Sequence, residues 1–260
     1  MDQGFIITSY VENSDHLNCL DECIQSILKF YDQKQIIVIV SYGSSFDLIK
    51  QLEDKYNNII FEKNGPISVP AISLSFYYIA KNNYFKKTVV IHDSMKLRKP
   101  INVDDVDTIQ FLWHFTNHRI HWHTIQEPRT EYNILNNINT HDDLILHMAN
   151  KYIDIPEFKS FFNNFYWRKD LWVGCFGLTY ILDSDYLKQL QEKTHIIELL
   201  QNFKDNRERR AAESVLSIAC AYTCDNLICD SFDGLYYDGM NYSNNGQSEH
   251  LIKRMNSFNR

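Results

Sequence analysis

Thr88-Val89-Val90-Ile91-His92-Asp93-Ser94-Met95-Lys96-Leu97 is the stretch from which the rest of the chain can be organised. Val89, Val90 and Ile91 form an uninterrupted apolar run, the pattern of a strand covered on both faces. It stops at His92-Asp93-Ser94, a polar tip. Open α/β sheets place ligand chemistry at the C-terminal ends of their strands. Asp93 therefore stands where a carboxylate can hold a divalent cation. A turn-forming Asp that caps the next segment is the plainer alternative.

Working outward, two similar units precede this one. Residues 4–10, GFIITSY, read as a buried first strand, and 15–31 follow with Leu17, Leu20, Ile24, Ile27 and Leu28 at helical spacing. Asp15 or Ser14 is the expected cap. Residues 36–40, IIVIV, form a second strand, ended by the turn Ser41-Tyr42-Gly43-Ser44-Ser45. A helix is expected over 46–56, a short strand over 58–62, a break at Asn64-Gly65-Pro66 and a helix over 69–82. Strands that alternate with helices indicate βαβ units and a mainly parallel sheet flanked by helices. Residues 101–170 look irregular. A strand is expected over 172–182 and helices over 185–203 and 206–223. We expect one domain, with 1–100 as the ligand-binding half and 101–260 as an irregular second half that carries the remaining chemistry.

Composition narrows the function classes. Hydrophobic content of 44% in 260 residues supplies a core without staples. A net charge of −7 argues against a general nucleic-acid binder, which needs a basic field. No apolar run reaches the roughly 18 residues of a membrane span. Residues 1–10 lack the basic and apolar regions of a signal peptide. Cys19 and Cys23 lie one helical turn apart, as do Cys220 and Cys224. Such neighbours make poor disulfide partners, so a reduced, cytoplasmic setting is expected. The spacing of Cys220, Cys224 and Cys229 fits no common zinc pattern. The sequon Asn241-Tyr242-Ser243 matters only in a secretory compartment. The Asn, Ile, Lys and Tyr content suggests an AT-rich genome, such as that of a large DNA virus or a protist.

Several clusters can carry chemistry. Thr8, Ser9 and Tyr10 end the first strand, where hydroxyls and a ring can hold a nucleobase or ribose, with Glu12 as a further polar contact. Capping of the next helix explains them equally well. Asn206-Arg207-Glu208-Arg209-Arg210-Ala211-Ala212-Glu213-Ser214 runs into a helix whose other face is Val215, Leu216, Ile218 and Ala219. Glu213 falls at the border of the polar and apolar faces, where a half-buried carboxylate can serve as a general base. From pattern alone, a solvated, salt-bridged helix start is the favoured reading. His114 and His118 can share a helix face, whereas His121-Trp122-His123 alternates like a strand, so a metal cluster is not favoured. Gly174 and Gly177 permit close approach of a ligand or another backbone. Trp167 and Trp172 offer stacking faces, with ordinary packing at least as good an account.

The order of these parts resembles the GT-A glycosyltransferases, particularly the inverting, family-2-like group. The resemblance rests on Ile6-Ile7-Thr8-Ser9-Tyr10, Cys23-Ile24-Gln25-Ser26, Ile36–Val40 with Ser41-Tyr42-Gly43-Ser44, Asn64-Gly65, His92-Asp93-Ser94, Gly174–Gly177 and Glu213-Ser214. It departs from the family at Ser41, where an acid is usual, and at a D-x-D reduced to Asp93. It implies transfer of a sugar from a nucleotide-diphosphate sugar to a glycan or protein acceptor. Thr8, Ser9, Tyr10, Glu12, Ser41 and Asn64 would hold the sugar donor. Asp93, with His92 or His250, would hold Mn²⁺ or Mg²⁺. Arg207, Arg209, Arg210 and His250 would offset phosphate charge, and Glu213 would be the base. The segment Glu249-His250-Leu251-Ile252-Lys253-Arg254 resembles a terminal element that approaches the diphosphate. Two alternatives stand beside this: a noncatalytic GT-A-like binding module, and a sugar-nucleotidyltransferase, which lacks its Gly-rich basic loop in residues 9–16. Oligomeric state is open.

Overall fold

The computed structural model describes residues 1–63, 71–116, 125–204, 206–224, 235–237 and 251–253. Its centre is a six-stranded sheet in the order β3-β2-β1-β4-β9-β6. The strands are β1 (Gln3–Ser9), β2 (Ile36–Val40), β3 (Ile60–Glu62), β4 (Lys87–His92), β6 (Ile109–Phe111) and β9 (Tyr180–Asp183). β3, β2, β1 and β4 run parallel, and β9 pairs antiparallel with both β4 and β6. The expected mainly parallel α/β sheet is present.

Alternation along the strands explains how both sheet faces are covered. Phe5, Ile7, Ile36, Val38, Val40, Val89 and Ile91 pack on one face against α1 (Ser14–Leu28) and α2 (Phe46–Lys55). Ile6, Ile37, Ile39, Val90 and Leu182 point to the other face. There they meet α3 (Ala71–Asn82), α7 (Ser184–Thr194), α8 (Ile196–Gln201) and α9 (Asn206–Thr223). All five β2 side chains are buried, each worth about 1.5–3 kcal/mol of transfer free energy.

Four local expectations need correction. α1 is capped by Asn13, whose side chain accepts from the His16 amide at 3.0 Å, not by Asp15 or Ser14. The described residues of 101–170 are not irregular. They hold β6, β7 (Trp113–Thr116), α4 (Glu131–Leu135), α5 (His141–Tyr152) and α6 (Pro156–Phe165). Thr140 and Asp143 form a capping box at the start of α5, and Pro156 opens α6. The strand expected over 172–182 is two strands, β8 (Val173–Cys175) and β9, separated by a 3-10 turn at Phe176–Leu178. Gly177 has φ 68° in that turn, which no strand accommodates. The helix expected over 185–203 breaks into α7 and α8 because His195 adopts a left-handed conformation (φ 49°).

Two smaller sheets flank the centre. β7 pairs antiparallel with β8 and parallel with β10 (Leu235–Tyr237). His114 therefore lies on a strand rather than a helix, and His118, His121 and His123 fall outside the described residues. β5 (Met95–Leu97), which begins two residues after Asp93, pairs antiparallel with β11 (Leu251–Lys253), with Met95 opposite Lys253. Part of the C-terminal segment thus lies beside the strand that leaves the His92-Asp93-Ser94 tip.

Candidate functional site at the strand tips

The site is built where β1, β2 and β4 end together, as parallel pairing requires. Thr8 is opposite His92, and Ser9 is opposite Val40. The Asp93 amide donates to the Thr8 carbonyl at 3.1 Å, extending the ladder one residue past β4. The Asp93 carboxylate then turns to β1. Its Oδ2 accepts the Ser9 hydroxyl at 2.8 Å and the Tyr10 amide at 3.3 Å. Charge-assisted bonds of this kind are stronger than neutral ones. Asp93 is only 2% exposed, so the carboxylate organises the β1 tip from within.

The tips of β1 and β2 are stitched in the same way. The Ser41 amide donates to the Ser9 carbonyl at 2.8 Å, the Val11 amide to the Ser44 hydroxyl at 3.0 Å, and the Ser45 amide to the Val11 carbonyl at 2.6 Å. Tyr10 lies over Gly43, where a Cβ would stand 3.5 Å from its ring. Gly43 has φ 85°, so the turn needs glycine for its backbone as well. Tyr42 is 65% exposed beside this loop. Glu12 is exposed, and its amide donates to Nδ1 of buried His16. Thr8 is buried, with its hydroxyl on the Ile91 carbonyl.

Across the sheet, the turn after β8 brings in a second carboxylate. Glu213 projects from α9 and is buried. Its Oε1 accepts the Gly177 amide at 3.0 Å and lies 3.8 Å from Arg209 Nε. His92 reaches the same glycine from β4, with Nε2 2.6 Å from the Gly177 carbonyl oxygen. Because a carbonyl only accepts, Nε2 carries the proton. His92 and Glu213, far apart in sequence, are thus joined through Gly177. Ser217 fastens α9 to β8, accepting from the Cys175 amide at 2.9 Å.

Each acid has a buried thiol beside it. Burial pushes the Cys23 thiol well up, and the Asp93 charge adds to the rise. Burial likewise raises Cys175 well above its usual range, with Glu213 contributing. The free cysteines Cys19, Cys23, Cys175 and Cys220 are buried, and Cys224 is half-buried.

Trp172 is buried, with its indole N–H on the Tyr166 carbonyl, so it is a packing residue and not a stacking face. Trp167 is 57% exposed. The close approach at Gly174 is made by Phe115, whose ring occupies the space of a side chain. Asn64, His250 and Cys229 lie outside the described residues, as do the side chains of Arg207 and Arg210. Among the described residues no group of three or more His, Cys, Asp or Glu gathers to hold a metal ion. A lone carboxylate suits Mg²⁺ or Mn²⁺ only when phosphate oxygens and water complete the shell. The tie through Gly177 escapes sequence reasoning, since neither backbone atom leaves a trace in residue type. Its one signal was a glycine inside an apparent strand.

No family model matches the chain, and no curated protein matches it. Among solved structures, the chain is similar to core-mannan synthase A (CmsA/Ktr4) from Aspergillus fumigatus in its Mn/GDP form. The likeness covers 84% of this chain and 69% of that one, at 11% identity and a TM-score of 0.43. It is also similar to residues 1–349 of S. aureus TarS, over 93% of this chain and 59% of that one, at 10% identity and a TM-score of 0.42. The chain thus spans less than two thirds of the TarS structure it matches. Among the described residues no helix is long and apolar enough to cross a membrane.

Proposed function

We propose that the chain is a GT-A-type glycosyltransferase that moves a sugar from a nucleoside-diphosphate donor to an acceptor hydroxyl. The observation that carries this reading is that Glu213 on α9 and His92, the neighbour of Asp93 at the β4 tip, both bond the backbone of Gly177. One acid lies at the end of parallel strands, where phosphates are commonly bound. The other is a buried carboxylate whose orientation is fixed by a backbone amide.

In this reading Tyr10, Ser9 and the Ser41 loop receive the nucleoside, with Thr8 supporting them from within the sheet. Glu12 is a further polar contact at the same end, and the resemblance gives Asn64 a donor-binding role as well. Asp93 would supply the protein carboxylate for a divalent cation, which when bound would neutralise charge on the diphosphate. By the same resemblance, Arg207, Arg210 and His250 would offset phosphate charge. Glu213 takes the proton of the acceptor hydroxyl as that oxygen bonds to the anomeric carbon. The bond from the anomeric carbon to the phosphate oxygen breaks, and the nucleoside diphosphate leaves with its electron pair. Attack opposite the leaving group inverts the anomeric centre.

The burial of Asp93 favours a second reading, a noncatalytic module that binds nucleotide sugars or glycans. There Asp93 would serve only to hold Ser9 and Tyr10. Calorimetric titration of a panel of nucleotide sugars, with and without Mn²⁺, paired with a donor-hydrolysis assay, separates the two. Turnover and Mn²⁺-dependent binding, both lost in Asp93→Ala, support the transferase. Binding without turnover, unaffected by Asp93→Ala, supports the module.

A further inference from the structure

Gly177 is held from both sides and is bent into a conformation that needs holding. Its φ is 68°, and the next residue, the fully buried Leu178, has φ 49°. A left-handed leucine is strained, and such strain persists only where the surroundings over-determine it. Two side chains do so. Glu213 takes the Gly177 amide, and His92 donates to the Gly177 carbonyl. The His92 ring lies so close that a Cβ on Gly177 would stand 3.1 Å from its Cε1. His92 is itself fixed, its amide on Met95 Sδ at 3.3 Å and its carbonyl accepting from Cys23 Sγ at 3.6 Å.

We infer that His92 is a positioning residue for Glu213, acting through Gly177 rather than on the sugar donor or a metal ion. The inference rests on the transferase reading for its catalytic consequence, but the mechanical tie stands apart from it. With Nε2 donating to a carbonyl, the ring fixes the plane of the peptide after Gly177. The amide on the other side of Gly177 is related to that plane by the Gly177 torsions, φ 68° and ψ 12°, and at those values it points to Glu213 Oε1. Loss of the ring's hydrogen bond frees the turn to relax its strain, and the amide that orients Glu213 swings with it.

The test compares His92→Phe, which keeps a ring without the donor, with His92→Gln, whose amide N–H reaches as far as Nε2. Hydrogen exchange at the Gly177 amide, read by NMR, reports the tie whether or not the protein turns over. In His92→Phe, protection of that amide is expected to fall about tenfold or more, and in His92→Gln to recover most of the loss. With a turned-over sugar donor, kcat in His92→Phe should fall about 10- to 100-fold while the donor Kd stays within about twofold, and His92→Gln should restore kcat. Should the Phe variant not fold, His92→Asn, too short to reach Gly177, carries the same expectation. Unchanged protection at Gly177 overturns the inference, as does a loss confined to donor affinity. Absence of turnover with every donor in the wild-type chain defeats the transferase reading alone, and the exchange measurement still decides the tie.

Discussion

Ser9 donates its hydroxyl to Asp93 at 2.8 Å, joining the ends of two parallel strands whose sequence positions differ by 84. Both residues are buried, at 2% exposure each. Removing the hydroxyl leaves a buried carboxylate oxygen short of a partner, which costs about 1–3 kcal/mol. Ser9→Ala should lower unfolding stability by that amount in a urea titration. It should also weaken binding of a nucleoside diphosphate, because the Tyr10 amide shares the same Asp93 oxygen.

Gly177→Ala should destabilise the fold by about 1–3 kcal/mol, since φ 68° strains any other residue and the new methyl meets the His92 ring. Gly43→Ala carries the backbone strain (φ 85°) but meets Tyr10 only at van der Waals distance. Denaturation midpoints of the two variants should therefore rank Gly177→Ala as the more damaging. The reverse ranking would mean that the His92 contact adds nothing.

Alkaline pH should weaken the fold through its buried thiols. Burial raises Cys23 and Cys175 well above the ordinary thiol range, so each binds its proton more tightly when folded than when unfolded. For a group with a raised folded pKa, the stability it lends is complete below the unfolded pKa, about 8.5 for a thiol, and is lost as pH rises beyond it. Unfolding free energy should decline from about pH 8.5 upward, and Cys175→Ala should make that decline shallower. An identical slope in the variant would contradict the burial of this thiol.

Lys169 gives a signal of the opposite sign. Burial lowers its ammonium pKa to about 8, against partial compensation from Asp142 at 3.0 Å. Its Nζ also lies 3.3 Å from the centre of the Tyr166 ring. The unfolded chain then binds more protons than the folded one between about pH 8 and 10.4, so this residue's cost is relieved as pH rises through that window. Wild-type protein should gain stability relative to Lys169→Met between pH 7.5 and 10, measured by chemical denaturation. Asp142→Ala removes the anion that helps Lys169 keep its proton and should cost about 1–3 kcal/mol at neutral pH.

The parallel half of the sheet was legible because its strands are short apolar runs with polar ends. Ile36–Val40 matches its expected bounds, and β1 and β4 differ by one to two residues. Helix α9 also has its expected bounds, since its apolar face repeats at helical spacing. Residues 101–170 were not legible. Their helices are short, and several are defined by caps such as Thr140 and by tertiary packing rather than by a long periodic stripe. The apparent strand 172–182 hid a turn because Cys175, Phe176 and Leu178 continue the apolar pattern while the backbone reverses at Gly177. Asp93 and Glu213 were both readable as candidates from their positions on a strand tip and a helix border. The tie between His92 and Glu213 was not, because it runs through the backbone of a third residue, Gly177.

In the proposed reaction Glu213 is the base that activates the acceptor. The most direct measurement is kcat and sugar-donor Kd for Glu213→Gln, which keeps size and an oxygen for the Gly177 amide while removing the basic carboxylate. The prediction is a fall in kcat of about 10²- to 10⁴-fold with Kd within about threefold of wild type. Retention of full turnover by Glu213→Gln would contradict the claim that this carboxylate accepts the acceptor's proton.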